Sequence, residues 1–145
     1  MECSEYSEQR GRFGMGCTNM KSLTSLLTFI GIPFAAASVI TILLRESRPL
    51  TLRDLSERTG YAKSHLSTHL KHLVNAGLVE VHQEKGKIKY SVKKKAIIQL
   101  LHQHLHRLHT YIQQVSNEVN DHDLRRELDE IAHRLSQLII RGEKR

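Results

Sequence analysis

Residues 22–44 contain no charged side chain. An uncharged run of that length either crosses a bilayer as a helix or fills the interior of a small domain. Gly31 and Pro33 interrupt the run, and Ser and Thr are scattered through it. Membrane helices tolerate Gly and Pro, so a membrane-anchored chain stands as a lesser alternative. The preferred reading is two buried helices, 21–30 and 33–45, split at Gly31-Ile32-Pro33. Pro33 then occupies the first helical position, where its missing N–H costs nothing.

The remainder of the chain supports that reading. Thr51 followed by Asp54 has the spacing of a helix N-cap, and Gly60 closes the helix it predicts. A second amphipathic helix over 63–76 ends at Gly77, a residue suited to the left-handed position after a helix. Residues 78–82 and 88–92 alternate apolar and polar side chains across Glu84-Lys85-Gly86-Lys87, the pattern of a β-hairpin. Ile97, Leu101, Leu105, Leu108, Ile112, Val115 and Val119 then recur every three or four residues. Asn120-Asp121 breaks that stripe, and Leu124, Leu128, Ile131, Leu135 and Leu138 form another. Narrow stripes of this kind need a partner helix.

The fold class expected is therefore mainly α with a small β-hairpin: a winged helix-turn-helix followed by long C-terminal dimerisation helices. Its expected parts are a flexible tail over 1–20, with Met20 as a second candidate start, a DNA-binding domain over 21–95 and a helical dimerisation region over 96–145. Leu101, Leu105, Leu108, Ile112, Val115, Leu128, Ile131, Leu135 and Leu138 are the expected dimer contacts.

The net charge of +7 is not evenly spread. Residues 62–95 hold eight lysines against Glu80 and Glu84, or +6, whereas 1–61 carry +1 and 96–145 balance seven basic against seven acidic residues. A focused positive field favours a polyanion, duplex DNA first and an anionic membrane second. Counted at 100° per residue, Leu66, Leu70, Leu73 and Val74 share one side of the 63–76 helix. Ser64, Thr68, Lys71 and Asn75 lie opposite, flanked by His65, Ser67 and His72. These are donors and acceptors suited to base edges and phosphates.

Residues 31–92 resemble the MarR-like winged-helix regulators, in particular the branch of the glycine-betaine-synthesis regulator, and more loosely the archaeal TrmB type. The resemblance is carried by Gly31-Ile32-Pro33, by Arg48-Pro49-Leu50-Thr51-Leu52-Arg53-Asp54-Leu55 and by Ala62-Lys63-Ser64-His65-Leu66-Ser67-Thr68-His69-Leu70. It continues through Leu73-Val74-Asn75-Ala76-Gly77-Leu78-Val79 and the wing Glu84-Lys85-Gly86-Lys87-Ile88-Lys89-Tyr90. It implies that Lys63, Ser64, His65, Ser67 and Thr68 face DNA, and that the wing cations Lys85, Lys87 and Lys89 lie near the backbone or minor groove. Two departures matter. Ala62 stands where the family places a Ser cap, and the wing tip has no Arg, leaving lysines better suited to phosphates than to planar bidentate reading.

Ten histidines is a high count for a chain of this size. His102, His106 and His109 share one side of the first C-terminal helix, which permits a metal site of the kind used by ArsR-type sensors. Cys3 and Cys17 sit in the N-terminal tail with no CxxC spacing, so neither a zinc site nor a disulfide framework is expected. His104, at the edge of the apolar stripe, is read as a packed, hydrogen-bonded residue. Protonation of His65, His69 and His72 would add charge to the reading helix, so acid would strengthen DNA binding.

No nucleophile elbow, phosphate-binding glycine loop or carboxylate pair is present, and an enzyme is not expected. The expected function is a cytoplasmic transcription regulator binding double-stranded DNA as a homodimer, with no cofactor. A metal-responsive sensor and a winged-helix protein-interaction module are the alternatives.

Overall fold

The computed structural model describes residues 17–143. Their elements run α1 (Cys17–Phe29), α2 (Phe34–Glu46), β1 (Leu50–Thr51), α3 (Leu52–Thr59), α4 (Lys63–Asn75), β2 (Val79–Glu84), β3 (Lys87–Val92), α5 (Lys94–Glu118) and α6 (His122–Glu143). The described residues divide into two compact units, one up to Lys94 and one from Lys95 onward. This is a winged helix-turn-helix with C-terminal helices. Of the tail expected over 1–20, residues 17–20 belong to α1, and the rest, with Cys3, lies outside the described residues.

The uncharged run does form two helices, but only the second is buried. Ala35, Ala36, Ala37, Val39, Ile40, Thr41 and Leu43 of α2 are all inside, because α2 packs against α1, α3, α4 and β3. In α1 Leu27 is buried while Leu26 is exposed and Phe29 is 87% exposed. The expectation that both helices are buried is thus corrected: α1 has α2 as its main partner and covers a single face. Pro33 is also one position earlier than expected. It caps α2 in an extended conformation, ψ 147°, and its carbonyl accepts the Ala37 N–H at 2.8 Å. No helix among the described residues is long and apolar enough to cross a membrane.

The hairpin expected from alternation belongs to a three-stranded antiparallel sheet of order β1-β3-β2. Leu50 pairs with Tyr90 and Thr51 with Lys89, so the short stretch after Pro49 is a strand against the wing. The wing itself is longer than its alternation suggested, reaching a two-residue turn at Lys85-Gly86. Both turn residues have positive φ, 51° and 76°, as in the mirror-image turns whose twist matches a hairpin. Leu50, Leu55, Leu66, Leu70, Leu73, Leu78 and Val79 join α2 in the core of this unit.

The C-terminal unit is an antiparallel helical hairpin. Asp121 caps α6, its carboxylate accepting the N–H groups of Asp123 at 3.0 Å and Leu124 at 3.2 Å. Arg125 donates to the carbonyls of Ser116 at 3.0 Å and Val119 at 2.6 Å, so it closes the C-terminal end of α5. The Ser116 hydroxyl donates to the Asp129 carboxylate across the hairpin. At the other end the His102 ring lies so close to Gly142 that a methyl group there would overlap it. Ala132 and Ile139 are the buried apolar residues of α6.

Candidate nucleic-acid interface

The first helix of the helix-turn-helix is α3, and its start is built by a capping box. Thr51 Oγ1 accepts the Asp54 N–H and the Asp54 carboxylate accepts the Thr51 N–H, both at 3.1 Å. Glu46 ties the end of α2 to α3 through Arg58 at 2.6 Å. The turn into α4 is held by the hydroxyls of α3 itself: Ser56 donates to the Tyr61 carbonyl at 2.7 Å, and Thr59 Oγ1 accepts the Tyr61 N–H at 3.3 Å. The angle between α3 and α4 is therefore fixed by short-range bonds.

On α4, Leu66, Leu70 and Leu73 are buried against the core. Lys63, Ser64, His65, Thr68, Lys71, His72 and Asn75 are exposed, while Ser67, His69 and Val74 are half-buried at the flanks. The helix ends by a paired hydrogen-bond closure. Gly77, at φ 79°, donates to the Val74 carbonyl at 3.0 Å, and Leu78 donates to the Leu73 carbonyl at 3.0 Å. That left-handed glycine turns the chain straight into the wing. At the start of α4, Ala62 takes the extended capping conformation with no side-chain hydrogen bond. Ala62→Ser is expected to raise stability by about 1 kcal/mol, read as a higher denaturant midpoint with an unchanged slope. An unchanged midpoint would mean that the bare helix start is already satisfied by solvent.

The histidines form one flank of α4. The Tyr61 and His65 rings are 5.4 Å apart and tilted, and His65 and His69 meet edge to face at 4.7 Å. Burial, reinforced by His65 and His72, holds His69 below the ordinary histidine value of 6.5. His69 thus stays neutral to lower pH than a free imidazole, which reduces its share of the charge gain expected on mild acidification.

These groups give stability a definite pH dependence. The unfolded chain binds a proton at His69 more readily than the folded one, so stability falls as pH drops through about 6.5. Asp54 is held below the usual 3.8, chiefly by the Thr51 backbone N–H, so its contribution is present above that value and is lost as pH falls through its lowered one. Thermal melts from pH 8 to pH 3 should fall in two stages. His69→Gln should flatten the upper stage and Asp54→Asn the lower; a variant whose profile parallels that of the unmodified chain rejects its assignment.

Cross-strand register sorts the wing into two faces. Val79, Val81, Gln83, Ile88, Tyr90 and Val92 share one, and Glu80, His82, Glu84, Lys87, Lys89 and Ser91 the other. The polar face is largely paired within itself. His82 Nε2 and Ser91 Oγ lie 2.6 Å apart, Glu80 sits 3.7 Å from His82 and 3.8 Å from Lys93, and Lys89 sits 3.7 Å from Glu84. Lys89, placed by sequence beside Lys85 and Lys87, is thus half-buried in the central strand with a carboxylate neighbour. Lys85 and Lys87 are exposed at the tip and, like Lys63 and Lys71, form no ion pair among the described residues.

Between α4 and the apolar face of the wing is a cleft of about 310 Å3, lined by the apolar Leu70, Val74 and Val81 and by the polar Ser67, Lys71, Asn75 and Tyr90. Tyr90 was not among the residues expected at the interface. Sequence alternation placed it in the wing, and the register puts it on the same face as Val81, toward α4.

On the C-terminal helices, Leu108, Val115, Ile131 and Leu138 are exposed, whereas Leu101, Leu105, Ile112, Leu128 and Leu135 are half-buried. His104 Nδ1 is hydrogen-bonded to the Leu100 carbonyl at 2.9 Å. Among the described residues no three His, Cys, Asp or Glu side chains come together to hold a metal, and His102, His106 and His109 do not form such a group.

A braced helix with a polar outer face, closed by a glycine into a wing, is the arrangement of a winged helix-turn-helix. Residues 38–81 match the bacterial regulatory protein, arsR family, from within α2 to the middle of β2. Over 56 residues the chain is 34% identical to the HTH-type transcriptional repressor OpcR of Bacillus subtilis, a stretch covering 39% of this chain and 30% of OpcR. It is equally identical over 56 residues to the putative HTH-type transcriptional regulator YvaV of the same organism, covering 39% of this chain and 32% of YvaV. The matched stretch is about a third of the length of these relatives. A solved transcriptional regulator aligns over 100% of both chains at 13% identity and a TM-score of 0.48.

Proposed function

We propose that the protein is a sequence-specific transcription regulator that binds duplex DNA as a homodimer, with α4 in the major groove and the wing tip on the backbone or minor groove. The observation that carries this reading is the outward face of α4: Ser64, Thr68, Lys71 and Asn75 are exposed, and the helix contains no carboxylate. Ser64 and Thr68 are the reading residues, with His65 and Ser67 at their flanks. Lys63, Lys85 and Lys87 add phosphate contacts, and Lys89 helps through its position more than its charge. The affinity to the MarR-like branch and a repressing action, as in the name of OpcR, belong to the same proposal.

The dimer half of the proposal rests on the apolar residues that α5 and α6 leave exposed. Burying even ~600 Å2 of such surface would contribute on the order of 15 kcal/mol before ordering and association costs. Two-fold closure implies a pseudo-palindromic operator with half-sites about one helical turn apart. Mapping bound sites across the genome of the source organism and footprinting the strongest tests both halves together. Two protected half-sites are the expected result, with altered preference for Thr68→Ala and a uniform loss for Lys85→Ala with Lys87→Ala. A protein that protects no site is a protein-interaction module.

A further inference from the structure

The cleft beside α4 differs from the rest of the wing in how its polar groups are satisfied. The outer face of the wing uses its own groups: His82 bonds Ser91, Glu84 faces Lys89, and Glu80 faces His82 and Lys93. On the cleft side, Ser67, Lys71, Asn75 and Tyr90 converge with no hydrogen-bond or ion-pair partner among the described residues. Ser67 and Tyr90 each offer an O–H, Asn75 an amide N–H pair and Lys71 a cation, with no carboxylate on the lining. Unspent donors interleaved with apolar side chains fit a ligand that alternates anionic oxygens with carbon.

Duplex DNA presents such a ligand at this place. A helix lying in the major groove and a wing at the adjoining minor groove are separated by one sugar–phosphate strand, the ridge between the grooves. We propose that the cleft between α4 and the wing is the seat of that strand: Tyr90, Asn75 and Ser67 donate to phosphate oxygens, Lys71 pairs with a phosphate, and Val81 and Val74 lie against deoxyribose carbons. This rests on the duplex-DNA reading above. Contacts of this type carry no base information, so their role is to set how deep α4 sits and at which base pair it starts. Tyr90 and Asn75 are then positioning residues whose loss is felt equally on every sequence.

The test uses the full chain and labelled random-sequence duplexes of about three helical turns, roughly 30 bp, in a salt titration followed by fluorescence anisotropy. Tyr90→Phe keeps the ring and removes one hydroxyl; it and Asn75→Ala should each weaken binding about three- to tenfold on all sequences, with an unchanged salt slope. Lys71→Gln should weaken binding and lower the slope by about one. Ser91→Ala, on the opposite face of the wing, should bind like the unmodified chain. Duplexes of one fixed sequence, the strongest footprinted site, carrying one neutral methylphosphonate at a time localise the contact: at the phosphate Tyr90 touches, the penalty of Tyr90→Phe disappears. If the unmodified chain binds steeply with salt while Tyr90→Phe and Asn75→Ala match it, the strand does not lie in the cleft and the duplex reading stands alone. If the unmodified chain shows no salt-dependent duplex binding, both readings fall. Melting curves of each variant separate a binding loss from a folding loss.

Discussion

Replacing Leu108 and Ile131 together by aspartate is expected to yield a monomer that still folds and binds duplex DNA about a hundredfold or more weakly. Both residues are exposed in the single chain, 48% and 47%, whereas the hairpin of α5 and α6 is held by Ala132, Ile139 and the Ser116–Asp129 bond. The substitutions therefore cost the isolated hairpin little and place unpaired carboxylates in the proposed seam, where desolvation makes them costly. Two linked half-sites bind with an effective concentration that a monomer forfeits, which accounts for the size of the loss. Leu105 and Leu135 are poorer choices, since both are half-buried in the single chain and aspartate there would disturb the hairpin directly. Sedimentation and duplex titration check the expectation. An unmodified chain that sediments as a monomer at micromolar concentration rejects the dimer.

Leu66→Ala is expected to destabilise the helix-turn-helix unit by about 2–5 kcal/mol, a large share of what a domain of this size possesses. Leu66 is 0% exposed and sits in the first turns of α4, whose start has no side-chain cap. Anchoring of α4 at that end falls on this leucine. The loss should appear as a lower denaturant midpoint, and the variant should bind DNA weakly even at temperatures where it remains folded. A change below 1 kcal/mol would mean that α4 is held from its glycine end by Leu70, Leu73 and the closure at Gly77, with Leu66 a passenger.

Local signals made much of this architecture legible from sequence. The Thr51–Asp54 spacing announced a helix N-cap, which the structure shows as a reciprocal capping box, because the chemistry that forms it is confined to four residues. Leu66, Leu70 and Leu73 at helical spacing announced a buried face because a helix repeats every 3.6 residues. What escaped depends on groups distant in sequence. β1 contains only Leu50 and Thr51, too few for any alternation, and it is a strand only because Tyr90 and Lys89 lie beside it. Lys89 looked like a third tip cation, and its partnership with Glu84 follows from the length of the hairpin. Residues 22–30 are as free of charge as those after Pro33, yet packing on one side alone leaves Phe29 outside. The unspent polar lining of the cleft was unreadable for the same reason: it joins the middle and end of α4 to a residue of β3.

The short strand β1 has a consequence for how the wing opens. Thr51 caps α3 and pairs with Lys89, so the base of the wing is tied into the same bonds that start the first helix of the domain. Two strands alone are marginal in water, and the third one ends at Lys89. Amide protons near Tyr90 and Val92 should then exchange with solvent only when the whole unit unfolds, while those from Glu84 to Lys87 exchange through local fraying. A wing built in this way has a stiff root and a soft tip, and the tip can follow a groove as it widens or narrows without loosening the helix beside it.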